Sequence, residues 1–241
     1  MLEIKMKLAG RMMPIHPVVL LDEESWVLID TGMIGNAEDI RAFVSVQEEI
    51  SKLPLKAVIL THQDIDHIGG LSSFLEEEGK KRPFDVYAHE ADRAVIDGEA
   101  PLLKFPADRL EAELEAWPGS LSEQYKRVLG QPSRPIVTRL MAEREILPFG
   151  GGLTVIHTPG HTPGHVSLYH QASKTIIAGD ALVIHNGELL PSSPYSTVDM
   201  EQALQSVKKL QAYDIEAVVC YHGGLLRGGI NKRIDKLAAL V

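Results

Sequence analysis

The apolar positions of this chain fall into short runs and spaced stripes that alternate along its length. Val18–Leu21 and Trp26–Ile29, separated by the polar residues 22–25, predict a β-hairpin. Over 36–53 the apolar residues Ile40, Phe43, Val44 and Ile50 recur near a period of about 3.6, which predicts a helix. Residues 57–61 form a short apolar run, as expected for a strand buried on both faces. It feeds the polar stretch 62–70 and then a helix predicted over 71–78. A strand at 84–88 and a helix at 89–97 follow.

The texture changes between 98 and 135. Pro101, Pro106, Pro118, Pro132 and Pro135 surround two helical patterns, 108–116 and 121–129. This reads as a helical insertion, and long insertions beside a site are often functional. Its apolar residues Leu102, Leu103, Phe105, Leu110, Leu114, Trp117 and Leu121 need a surface to cover, either the rim of a site or a second copy of the chain. From 136 strand signals return at 145–147, 153–157, 166–170 and 175–178. A helix at 200–213, a strand at 217–220 and a closing helix at 231–240 complete the chain. Two halves that each run strands first and helix last predict an α/β fold of four layers, αββα, with two sheets packed together and helices outside.

Composition narrows the class. The 241 residues are read as one domain, 1–241, carrying the insertion at about 98–135. With 24% charged and 44% hydrophobic residues the chain has enough apolar material for a sizeable core. A net charge of -9 disfavours partners recognised through phosphate backbones, so no nucleic-acid partner is expected. The lone cysteine, Cys220, excludes an intrachain disulfide framework. No run approaches the ~18 apolar residues of a membrane span, and the first residues lack the apolar core of a secretory signal. The expectation is a cytoplasmic protein with a small-molecule substrate and no membrane partner; a homodimer is left open.

Candidate chemistry concentrates where the apolar runs end. His62, Asp64, Asp66 and His67 fall directly after the run at 57–61. In an extended stretch alternate side chains share a side, so His62, Asp64 and Asp66 can converge and a turn can bring in His67. Imidazole and carboxylate bind zinc, iron and manganese, although a polar loop capping the next helix uses the same residues. Three further segments tip the balance. The turn-rich TPGHTPGH at 158–165 presents His161 and His165, Asp180 stands at the end of another apolar strand, and His222 at the end of a third. Strand ends are where α/β sheet proteins place their sites.

The ordered set THQDIDHIGG, TPGHTPGH, GDA and YHGG, with the early Asp30-Thr31-Gly32, resembles the metallo-β-lactamase-fold hydrolase superfamily over roughly 18–225, with glyoxalase II-like and lactonase-like members. The resemblance implies an αββα sandwich with a two-metal site at the edge between its sheets. It assigns His62, the Asp64 position and His161 to a first divalent metal ion and Asp66, His67 and His222 to a second, with Asp180 bridging. The usual motif is HxHxDH and this chain has HxDxDH. A carboxylate at Asp64 is harder than imidazole and shifts preference from zinc towards iron or manganese.

The resemblance also implies a hydrolase in which a metal-held hydroxide attacks a small ester, thioester or lactone. Asp66 would orient the nucleophile or move its proton, and Tyr195 would assist the substrate oxygen, as a tyrosine does in related lactonases. The alternatives are a diiron oxygen or nitric-oxide reductase, suggested by Asp64, and a nuclease-like phosphodiesterase, disfavoured by the charge. His165 reads as a buttress of the loop, and His89 and His185 as surface or capping residues rather than ligands.

Overall fold

A computed structural model of the protein describes residues 1–8, 11–104, 107–130, 132 and 135–240. Its strands are β1 (Leu2–Glu3), β2 (Met6–Leu8), β3 (Arg11–Ile15), β4 (Val18–Leu21), β5 (Trp26–Ile29), β6 (Leu55–Ile59), β7 (Asp85–His89), β8 (Arg139–Met141), β9 (Ile146–Leu147), β10 (Leu153–His157), β11 (Val166–His170), β12 (Thr175–Gly179), β13 (Leu182–His185), β14 (Glu188–Pro191), β15 (Ala217–Cys220) and β16 (Gly224–Arg227). The helices are α1 (Ala37–Ser45), α2 (Ile65–Ile68), α3 (Leu71–Lys81), α4 (Glu90–Ile96), α5 (Ala107–Glu115), α6 (Gly119–Tyr125), α7 (Met200–Lys209) and α8 (Ile230–Ala238).

Strand alternation explains the layers. In β5, Val27 and Ile29 face a core shared with Leu153, Val155, Leu168 and Val219, while Leu28 faces the opposite way towards Ile40 and Phe74. In β15, Val219 faces the shared core, and Val218 and Cys220 face Val207, Ile230 and Ile234 of the closing helices. The sheets run β1-β4-β5-β6-β7-β8 and β16-β15-β12-β11-β10-β9. They pack face to face, with helices outside each, which is the four-layer αββα sandwich. Each fully buried Val, Leu or Ile in these layers contributes about 1.5–3 kcal/mol relative to exposure. Among the described residues no helix is long and apolar enough to cross a membrane.

Several elements depart from the sequence pattern. The helix predicted over 36–53 stops at Ser45, where the β-branched Val46 stands exposed, and the remainder is turns that still bury Ile50. The short β8 and the β13–β14 hairpin lie outside the long apolar runs and escaped the reading.

The apolar residues of the insertion pack largely on their own chain. Leu114, Tyr125 and Leu129 are buried in the outer core of the first sheet, with Leu102, Leu110, Trp117 and Leu121 packed against it. Gln124 and Arg127 bind Glu76 on α3. Its helices therefore cover this domain's own outer layer, which already satisfies their apolar faces. Leu103 is exposed, and Phe105 lies outside the described residues. The arm before α5 reaches the sheet edge where the motif loops meet, through contacts made by Leu103 and Lys104.

Candidate metal centre

The motif loops leave the ends of β6, β10, β12 and β15 at one edge of the sandwich. Asp64 is still extended, at φ -64° and ψ 145°, and α2 begins at the next residue. That helix start splits the polar stretch. His62 and Asp64 stay on one side, and Asp66 and His67 turn away to another, so the simple alternation expected from sequence does not hold. Three overlapping groups of donor atoms result: His62, Asp64 and His161; His62, His67 and Asp180; and Asp66, His67 and His222.

The separations are those of atoms that can share an ion. Asp64 Oδ2 lies 3.2 Å from His62 Nε2 and 3.1 Å from His161 Nε2. His222 Nε2 lies 3.3 Å from Asp66 Oδ2 and 3.4 Å from Asp180 Oδ2, and His67 Nε2 is 3.5 Å from Asp180 Oδ1. Asp180 Oδ2 is also 3.4 Å from His161 Nε2, so this carboxylate stands between the two sides. For bonds of about 2.0–2.1 Å, tetrahedral ligand atoms lie roughly 3.3 Å apart.

Three of the four histidines are oriented from behind; His222 Nδ1 is buried without a hydrogen-bond partner. Asp30 accepts from the backbone N–H of Thr61 and from its hydroxyl, both at 2.8 Å, and lies 2.9 Å from His67 Nδ1. With its own proton given to Asp30, the Thr61 hydroxyl is left to accept from His62 Nδ1 at 3.1 Å. His161 Nδ1 pairs with Ser192 at 2.9 Å. These partners occupy the Nδ1 atoms and turn the Nε2 lone pairs inward, the arrangement seen behind metal-ligating histidines. Asp30 itself holds φ at +59°, a strained value for a residue with a side chain, at a position that orients two histidines.

Two glycines permit the approach. A Cβ on Gly70 would stand 2.2 Å from the Thr31 carbonyl, where Gly70 N–H also donates to Gly32. Gly179, at φ +53° on a register shift between β12 and β15, would collide with His165 Nε2, and the shift aims Asp180 into the centre. His165 Nε2 accepts from Asp180 N–H at 2.9 Å, so this histidine fixes the backbone of Asp180 and adds no donor to the three groups. Asp92, buried on α4, accepts from Gln63 N–H, Thr162 Oγ1 and Gly164 N–H and so ties the two histidine loops together.

Burial and charge pull in opposite directions here. Burial opposes charge on His222, but Asp180 and Asp66 outweigh it and hold its pKa up at about 10. His67 is likewise buried, and Asp30, Asp180 and Asp66 raise it well above the ordinary histidine range. Burial works against ionised Asp180 and Asp64, yet His222 and His67 lower the first, and His62, His161 and Lys104 lower the second. His62 and His165 are pushed down by burial and by neighbouring histidines.

The donor set fits divalent ions. His62 Nε2, His67 Nε2 and Asp180 Oδ1 are buried and make no hydrogen bond, although they face one another across the cluster. Three carboxylates and four imidazoles of this kind are expensive to bury without compensation, and a cation between them supplies it. The other expected positions lie elsewhere. Tyr195 is fully exposed on the turn after β14, at 102% of its reference area, and is not among the residues of the three donor groups. His89 caps α4 and stacks on His157 at 3.9 Å, and His185 is exposed at the end of β13. Lys104, bonded to Asp64 and His161, was not foreseen, because a lysine in a proline-bounded insertion carries no motif. Asp92 read only as part of a helix.

The family model of the metallo-beta-lactamase superfamily matches residues 14–222. "Probable metallo-hydrolase YflN" of Bacillus subtilis is 31% identical over 215 residues, 84% of this chain and 76% of that protein. "Hydroxyacylglutathione hydrolase GloC" of Haemophilus influenzae is 26% identical, across 88% of this chain and 86% of its own. Among solved structures, the metallo-beta-lactamase family protein TTHA1429 of Thermus thermophilus superposes with a TM-score of 0.70 at 22% identity, covering 99% of this chain and 78% of its own.

Proposed function

The chain belongs to the metallo-β-lactamase superfamily, and on that premise we propose that it is a binuclear metallohydrolase acting on a small ester, thioester or lactone. The observation that carries the reading is the pair of inward-facing donor sets, with unpartnered Nε2 atoms on His62 and His67 and Asp180 between them. His62, Asp64 and His161 would hold a first ion and Asp66, His67 and His222 a second, with Asp180 shared. Two divalent ions, zinc or, with the hard Asp64 oxygen, iron or manganese, would supply an acidified water and polarisation of a carbonyl.

The chain's own residues do the rest. Asp30 keeps the His67 and His62 rings in one tautomer and one orientation. Tyr221 donates its hydroxyl to the Asp66 carbonyl and so fixes the residue whose carboxylate faces His222. The Asp66 carboxylate, beside its role as a donor of the second set, would orient an incoming water or move its proton. The relative GloC, named a hydroxyacylglutathione hydrolase, supports the thioester branch.

The test is a panel of lactones, thioesters, phosphodiesters and β-lactams offered to chelator-stripped and metal-reloaded protein of measured metal content. Hydrolysis of a thioester or lactone only after reloading is expected. Turnover confined to phosphodiesters, or none by fully loaded protein on any of the four classes, would contradict the reading.

A further inference from the structure

The first donor set already faces a cation. Lys104 sits in the arm before α5, and its ammonium donates to Asp64 Oδ2, to His161 Nε2 at 2.7 Å and to the Ser196 carbonyl at 2.9 Å. Asp64 and His161 are two of the three residues in the first candidate set. An imidazole nitrogen has one lone pair, so the ammonium and a metal ion cannot both use His161 Nε2. The arm is anchored as well. Leu103 N–H donates to Gln63 Oε1 at 3.2 Å, and Gln63 is buried and held by Asp92. The Lys104 side chain is only 20% exposed. The second set is balanced from within, by His67 and His222 against Asp66 and Asp180.

We propose that Lys104 is a built-in occupant of the first position, so that the two donor sets load unequally. A divalent transition-metal ion enters the second set directly and reaches the first only when the Lys104 ammonium withdraws. A retained ammonium beside a divalent ion would place like charges within a few ångströms in a buried site, where salt screens little. Lysine's flexible four-carbon stem allows the withdrawal that a rigid ligand would not. The inference rests on the metal reading above and adds to it a rank order of sites and the residue that sets it.

The test is metal binding itself. Chelator-stripped wild-type protein and Lys104→Met are titrated with zinc against a chromophoric chelator, and bound metal is counted by elemental analysis. Wild type is expected to take one tight ion and a second at least about tenfold more weakly. Lys104→Met is expected to tighten that second ion at least about tenfold, and Lys104→Gln, polar but uncharged, to do the same. Adding His161→Ala to either variant should remove the gained ion and leave the tight one, which assigns it to the first set. Two equally tight ions in wild type, or Lys104 variants that match wild type, would overturn the role of Lys104 while leaving the metal reading intact. No ion in any folded variant would overturn both.

Discussion

The two halves of the centre are neutralised by different means. Around Asp66 and Asp180 the positive charge comes from His67 and His222, residues of the fold's own loops, both raised above their ordinary pKa. Around Asp64 it comes in part from Lys104, a side chain delivered by the insertion. On the proposed reading, an ion entering the second half displaces protons, whereas one entering the first displaces a side chain. The difference teaches that one half is built from the loops of the sandwich, whereas the other is completed by a single side chain, Lys104, on the arm before α5.

The largest expected effect comes from removing what both halves share. Asp180→Asn is expected to lower metal content and to cut kcat/KM by roughly a thousandfold, since metal polarisation is worth several kcal/mol and ~1.4 kcal/mol is tenfold. Elemental analysis and steady-state kinetics check it, and full metal content with near-normal turnover would show that Asp180 is not the shared donor.

Next comes Asp30→Asn, which leaves the ligands in place but weakens the group behind His67 and His62. Outer partners of this kind are worth about 10–100-fold in metal affinity. Competition with a chelator measures the loss. Affinity equal to wild type would mean that the Nδ1 contacts do not orient the rings.

The proton-displacement side of the comparison has its own signature in the metal-free protein. His222 is held at about 10, against ~6.5 in an unfolded chain. Its contribution to stability is thus fully present below pH ~6.5 and is lost as pH rises through about 10. Stripped protein should show a falling melting temperature across that window and metal-loaded protein a much flatter one. Metal uptake near pH ~7 should also release protons, visible as a buffer-dependent heat in calorimetry. A flat stripped-protein profile with no proton release would remove the distinction between the halves.

The smallest effect is expected at Tyr195. With its ring in solvent, Tyr195→Phe should leave kcat/KM within about twofold and stability within ~0.5 kcal/mol. A large loss of turnover would restore it to the centre.

Much of this was legible in the sequence, for definable reasons. Runs such as 57–60 and 217–220 are apolar at every position because both faces are buried, and that pattern announces a sandwich interior. The ligand-type residues follow those runs directly, so their convergence at one edge needed only the strands to be placed. What escaped depends on tertiary geometry. The charge of Lys104 is uninformative until the arm at 101–104 is laid against Gln63. Asp92 looks like any first-turn acid of a helix, yet it is buried where two loops cross. The insertion's leucines announced a surface to be covered without saying which, and that surface proved to be the outer face of the first sheet and α3.

The central claim, that these seven side chains form a metal centre with unequal halves, is tested most directly by anomalous diffraction at a metal absorption edge. Crystals of protein loaded with slightly less than one equivalent of zinc should show the dominant peak among Asp66, His67, His222 and Asp180. A second peak among His62, Asp64 and His161 should grow only at excess metal, as Lys104 moves out. A dominant peak at the first set, or metal bound outside both sets with these donors bare, would contradict the account.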